Sequence, residues 1–449
     1  MKHQHFEVLA ASLLLCVNAS PLERRFEYSR PPGPYPLDVV DELGVASIGK
    51  FEEYLAKNPS EHGCTLETAV RRKEWSDLSV EQREDYIAAV LCLQSKPSQA
   101  PKDKFPGALS RYDDFSHLLP AHRYYIWFYE QALREECGYE GYQPYWNYDR
   151  YAADPVNSPL FNGNMSSMGG NGLPSDYAGV PQPAFAPPLD IIPNAGGGGC
   201  VTEGPFKDMV VSLGPKSTVF DDIPPNPQAD GYGSNPRCLR RDVNKYAAAF
   251  TTANWTYALI TENQDIDTFQ QVMLGTPAKN DWGVHLGGHY TIGGDPGGDF
   301  WASPGDPVFY FHHGMIDRIW WLWQMQDPDN RMTAVAGTQS VDPSMPSAVI
   351  AEEDLVDLAW LAPARLLTDV HRDVIACNVP GHSSSVIIRA KRGDEIALDW
   401  DASPYSGPIT HFLFGPVDDA TRAKGVEGGW FEVDEANYEH GTRASKNRK

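Results

Sequence analysis

Three histidines, His285, His289 and His313, stand at spacings that let neutral imidazoles converge on one metal ion. Imidazole nitrogen suits copper, zinc, iron and nickel, so the donor type narrows the metal without naming it. No Cys or carboxylate between Trp282 and Gln324 stands at an evident ligand spacing, which argues against a closed structural zinc site. His285 and His289 are four apart, so on a helix they share one face. Gly287 and Gly288 between them cost that helix about 1 kcal/mol each relative to Ala. Such a cost is tolerated where backbone or ligand must come close. A lone histidine is more often a core residue satisfied by backbone; three in this arrangement weigh for a metal site.

Positioning these rings falls to two segments. Asp306-Pro307 reads as an N-cap followed by proline at the first helical position. Phe309, Ile316, Ile319, Trp320 and Trp323 follow at helical spacing, which predicts a largely buried helix. His313 lies one turn before Asp317, whose carboxylate is expected to accept the second ring N–H and fix the tautomer.

Elsewhere, residues 20–45 are Pro-rich and expected to be extended. Helical periodicity dominates 46–96, with a capped helix starting near Ser79. His122 to Cys137 predicts a helix that turns Tyr125, Phe128, Tyr129 and Leu133 inward. Residues 151–236, rich in Gly, Pro, Asn and Ser, read as a long ordered loop region. Asp242–Ile260 and Ile266–Met273 read as helices. After about Arg365 the pattern changes to alternating apolar and polar residues, the mark of strands. The expected fold is therefore mainly α, a four-helix bundle presenting histidines inward, with long loops and a small β-rich C-terminal segment. Its expected divisions are 1–19, 20–366 and 367–449.

Charged residues make up 22% and hydrophobic ones 41%, which places the chain with globular proteins rather than disordered ones. A net charge of -23 argues against nucleic acid or an anionic membrane as partner. The first 19 residues have a basic start, an apolar run too short to span a bilayer, and small residues near Ala19. That is a secretory signal pattern, so an extracellular location is expected. Beyond Cys16, Cys64, Cys92, Cys137, Cys200, Cys238 and Cys377 remain, an even set that suggests three disulfides of undetermined pairing. Asn164 and Asn254 open N-x-S/T tripeptides and are candidate glycosylation sites. A monomer or small oligomer is expected.

Taken whole, H-x3-H followed by D-P-x-F-Y-x-x-H-x-x-x-D resembles the copper B half of a type 3 copper protein. HRYYIWFYEQALREECGYEGYQPYWNYD, from His122 to Asp149, resembles the copper A helix of the same family. KFPGALSRYDDF, PFKDMVVSLGP, NPRCLRRD and DLVDLAWLAPAR extend the match. The resemblance is to the short secreted fungal tyrosinases and catechol oxidases, over roughly residues 60–366. It implies two copper ions, with His285, His289 and His313 on copper B and His122 as the last copper A ligand. His312 is not expected to be a ligand. Family members carry two further histidines ahead of the His-Arg pair; here only SHLLPA separates Phe115 from His122. His117 is thus either a copper A ligand or an exposed loop residue.

By the same resemblance the chain oxidises o-diphenols to o-quinones with O2, with monophenols as a further candidate substrate class. Leu286 follows the first copper B histidine where an Asn tends to accompany monophenol hydroxylation, and Phe300 stands at the gate position. Together with Phe309 they are assigned to the substrate pocket, an arrangement that favours o-diphenol oxidation. Two other classes stay open: a pseudoenzyme depleted of copper at the shortened A site, and a non-catalytic oxygen-binding protein. The tail weakly resembles the β-sandwich core of fungal lytic polysaccharide monooxygenases. It lacks their copper histidines, since Tyr405 replaces one and His382, His411 and His440 fit neither position. It is read as a partial β-sandwich or a β-capping unit.

Overall fold

The structure is a computed structural model. It describes residues 35–59, 65–66, 69–116, 122–181, 191–216, 218, 220–276, 281–338, 348–362 and 364–367, and the backbone of 409–414 and 430–436. The leader, His117, Cys64, Cys377, Tyr405, His382 and His440 lie outside the described residues. The chain divides into two compact units, residues 1–379 and 380–449.

Helix α1 (Val39–Lys57) begins inside the stretch expected to be extended. Its cause is Asp38, whose carboxylate accepts from the N–H groups of Val40 and Asp41 at 2.8 Å each. Asp41 and Glu42 add negative charge at the positive end of the helix dipole. Helix α2 (Val80–Ser95) starts where expected, with Ser79 and Gln82 forming a reciprocal capping box. Helix α3 (His122–Cys137) has the expected bounds and buries Tyr125, Tyr129 and Leu133. The disulfide Cys92–Cys137 ties the C-terminal ends of α2 and α3 together.

The single helix expected over Asp242–Ile260 is broken in two, α4 (Lys245–Ala248) and α5 (Ala253–Glu262). Between them the Thr251 hydroxyl donates to the Ala248 carbonyl at 2.9 Å, satisfying a group the helix would otherwise have used. Asp242 is drawn away from helix formation altogether. Its carboxylate accepts from Tyr177 Oη at 2.5 Å and from the Gly197 N–H at 2.9 Å, pinning the Gly-rich loop.

Helices α6 (Ile266–Leu274), α7 (Gly283–Ile292) and α8 (Val308–Gln324) follow, with a short α9 (Pro328–Arg331). Every residue of α8 from Val308 to Ile316 is buried, which makes it the central element of the unit. It packs against α1, α3, α5 and α7. The mainly α expectation holds. Between α3 and α4 the long loop region carries only short antiparallel pairs: β1 (Gly172–Pro174) with β4 (Gly198–Val201), β2 (Gly179–Pro181) with β3 (Ile191–Pro193), and β5 (Val210–Val211) with β6 (Arg237–Cys238). The disulfide Cys200–Cys238 crosses this region. After α9, β7 (Leu355–Val356) pairs with β8 (Arg365–Leu366). In the second unit β9 (Ile409–Phe414) and β10 (Trp430–Ala436) pair antiparallel, with a register shift at Val433.

Loop and core are joined by one ion pair from which water is excluded. Arg241 and Asp306 are both 0% exposed, and the guanidinium grips the carboxylate through Nε at 2.7 Å and Nη2 at 2.8 Å. Arg241 Nη1 also donates to the Met168 carbonyl at 2.6 Å. Asp306 in turn accepts from the Val308 N–H at 2.9 Å, so the expected cap on α8 is present and anchored to the loop wall. Removing one partner of a buried pair leaves the other charge stranded, at about 3–5 kcal/mol. Arg241→Ala is therefore expected to lower unfolding stability by about that amount. Lys57→Ala, which breaks the exposed pair with Asp329, should cost under about 1 kcal/mol. Urea denaturation of both variants checks the contrast; equal losses would contradict it.

Candidate metal centre

Helix α7 places His285 and His289 one turn apart, with ring centroids 4.9 Å from each other. Helix α8 brings His313 against them, and the Nε2 atoms of His289 and His313 lie 3.1 Å apart. That is about the separation two nitrogens would have when bound to one ion at roughly 2.0 Å each. His122 opens α3, its ring 3.9 Å from that of His313 and 6.3 Å from that of His285. Phe309 closes one side, at 4.2 Å from His313, 5.8 Å from His289 and 5.9 Å from His122. The structure thus brings His122, His285, His289 and His313 to one place.

His122, His285 and His289 keep a partial opening to solvent, while His313 and His312 are buried. Burial holds His122 down to about 4, and burial with the nearby His122 holds His285 down to about 3. Burial and neighbouring rings push His289, His312 and His313 well below the usual imidazole range. All five are therefore neutral near pH 7, the form that binds metal. His122 Nε2, His285 Nδ1 and His313 Nδ1 are buried without a hydrogen-bond partner. Buried polar atoms are rarely left so. A pocket of neutral imidazoles with several ring nitrogens unpartnered fits a borderline metal such as copper.

One sequence expectation is corrected. Asp317 does not receive a proton from His313; it accepts from Arg123 Nε at 2.6 Å and Arg72 Nη1 at 3.2 Å. Two guanidinium groups outcompete a neutral ring for the carboxylate. Leu286 packs in an apolar cluster with Trp282, Tyr290, Ala247, Val180 and Ile192. It sits about 100° around α7 from His285, as helical geometry requires. Phe300 is half-buried, its ring edge-on to Trp301 at 5.1 Å.

Sequence reasoning missed Arg123. Beside its bond to Asp317, it lies over the Trp320 ring at 4.0 Å, locking the start of α3 onto α8 and so seating His122 beside His313. His312 was also set aside, yet its ligand atom lies within 4.8 Å of those of His285, His289 and His313. Those four form the cluster of potential metal donors among the described residues.

Residues 99–326 match the common central domain of tyrosinase. The chain belongs to the tyrosinase family. It is 39% identical over 306 residues to the tyrosinase-like protein orsC of Emericella nidulans, covering 62% of this chain and 80% of that one. Tyrosinase P of Aspergillus terreus is 38% identical over 288 residues, 60% of this chain and 79% of the relative. N-acetyl-6-hydroxytryptophan oxidase ivoB of Emericella nidulans is 37% identical over 306 residues, 61% and 81% respectively. Among solved structures, a polyphenol oxidase from Thermothelomyces thermophila is similar at TM-score 0.66 and 37% identity, covering 74% of this chain and 92% of that one. As a fungal type 3 copper tyrosinase-family protein, the chain belongs with copper-dependent phenol oxidases that use O2.

In a tyrosinase-family chain built this way, protons compete with both folding and metal. Because the folded imidazoles hold protons less well than unfolded ones, acid favours the unfolded chain. Metal-free stability is expected to be full above about pH 6.5 and to be lost as pH falls toward about 4. Thermal melts of the metal-free chain across that window test this. A melting temperature flat from pH 7 to 4 would contradict it.

Proposed function

We propose that this chain is a secreted o-diphenol oxidase in which His285, His289 and His313 hold one copper ion and His122 borders the second. The observation that carries the reading is the 3.1 Å approach of His289 Nε2 to His313 Nε2, with the His122 ring 3.9 Å from His313. Copper held there supplies one-electron exchange with O2 and with a bound phenol. The chain's own residues hold the rings neutral, fix their directions and keep water from their buried sides. Phe309 forms the apolar wall behind the site. Phe300, the gate residue by resemblance, is proposed to narrow access. Leu286 contributes packing and offers no group that takes a phenol proton. That supports oxidation of substrates already carrying two hydroxyls. Under this reading tyrosine alone gives no oxygen uptake or only uptake after a long lag, whereas catechol gives it at once. Rapid uptake with tyrosine in an oxygen electrode would refute it.

Secretion is supported by the leader pattern and by two disulfides, which persist in oxidising compartments. Asn164 is exposed on a loop and suits glycosylation. Asn254 is exposed on α5, but its partner Thr256 is buried and donates to Asp149 at 2.8 Å.

A second reading, a copper-depleted pseudoenzyme, rests on a specific observation. Among the described residues His122 is the sole copper A donor by resemblance, and His117 falls outside them. Copper analysis after loading the full chain with excess Cu(II) separates the two. Two ions per chain are expected for the oxidase; one or none would favour the depleted protein.

A further inference from the structure

The family resemblance leaves His312 without a task. The residue is 0% exposed, and neither Nδ1 nor Nε2 has a partner at hydrogen-bonding geometry. A histidine kept only for packing normally bonds at least one ring nitrogen.

Room for the ring has been cleared from the opposite helix. A Cβ at Gly288 would overlap His312 Cε1 and Nδ1, so α7 accepts the helix-weakening glycine where this ring enters. The ring then lies 4.5 Å from that of His289, 4.9 Å from His313 and 5.6 Å from His285. The potential ligand atoms of all four lie within 4.8 Å of one another. Tetrahedral binding at roughly 2.0–2.1 Å asks for nitrogen separations of about 3.3 Å, and the His289–His313 pair already stands at 3.1 Å.

We propose that His312 is a fourth imidazole donor, so that His285, His289, His312 and His313 close around a single ion when no second metal is present. The proposal rests on the reading above that the trio binds metal, and it adds a consequence. A four-nitrogen set has no open position, so the singly loaded site is a closed, storage-like state. A shortened copper A segment makes that state important for this chain, because one ion can be held firmly without a partner ion.

The test uses the full chain with one equivalent of Cu(II), and separately with Zn(II) alone. Pulsed electron paramagnetic resonance of the singly loaded wild type is expected to count four imidazoles. His312→Phe and His312→Gln are expected to count three and to bind Zn(II) at least about tenfold more weakly, about 1.4 kcal/mol. Three imidazoles in the wild type would overturn the proposal while leaving the trio intact. Zn(II) affinity within twofold of wild type in both variants would overturn it likewise. A wild type that binds neither ion would overturn the trio reading as well. Because the imidazole count is taken on the wild type, the test stands even if both variants misfold.

Discussion

Five imidazole rings share one poorly solvated pocket between α3, α7 and α8, and every one must stay uncharged for its neighbours to be tolerated. Protonating any of them places a cation in a poorly solvated enclosure beside four other rings, with no compensating carboxylate acting on them among the described residues. The carboxylate a helical turn away from His313 is withheld from the pocket by Arg72 and Arg123. That arrangement keeps acidic oxygen out of the donor set and leaves an all-imidazole environment suited to an ion such as copper.

The scaffold answers this constraint by excluding water on the buried side and fastening the helices to one another. Helix α8 is enclosed by α1, α3, α5 and α7, and its start is bound to the loop wall through Asp306 and Arg241. Helix α7 carries two histidines on one face and an apolar row of Trp282, Leu286 and Tyr290 on another, which beds it against α4. Helix α3 is held at its beginning by the Arg123–Asp317 pair. The donors are thus placed by rigid elements rather than by loops, as a site needing sub-ångström geometry demands.

Much of this could be read from the residues, and what could not has a physical reason. Helices α2, α3, α6 and α8 were legible because apolar periodicity and end signals agreed within each. The interruption between α4 and α5 was not, since a threonine hydroxyl capping a carbonyl looks, in sequence, like any helical threonine. Three donors on α7 and α8 announced themselves by local spacing. The partners of Asp317 did not, because Arg72 and Arg123 lie 245 and 194 residues from it along the chain. His312 was hidden in a similar way. Its environment is set by Gly288 on another helix, and a motif that ranks adjacent histidines says nothing about the space each enters.

The bridge between Cys92 and Cys137 grips α3 at the end opposite His122. With the Arg123 clamp at its other end, the helix is fastened at both extremities before the connecting chain ahead of it has any say. Evolution can therefore lengthen, trim or re-route whatever joins Ser116 to His122 while the ring at the head of α3 keeps its address. Donors ahead of α3 can be lost while His122 stays seated beside His313 through the Arg123–Asp317 pair.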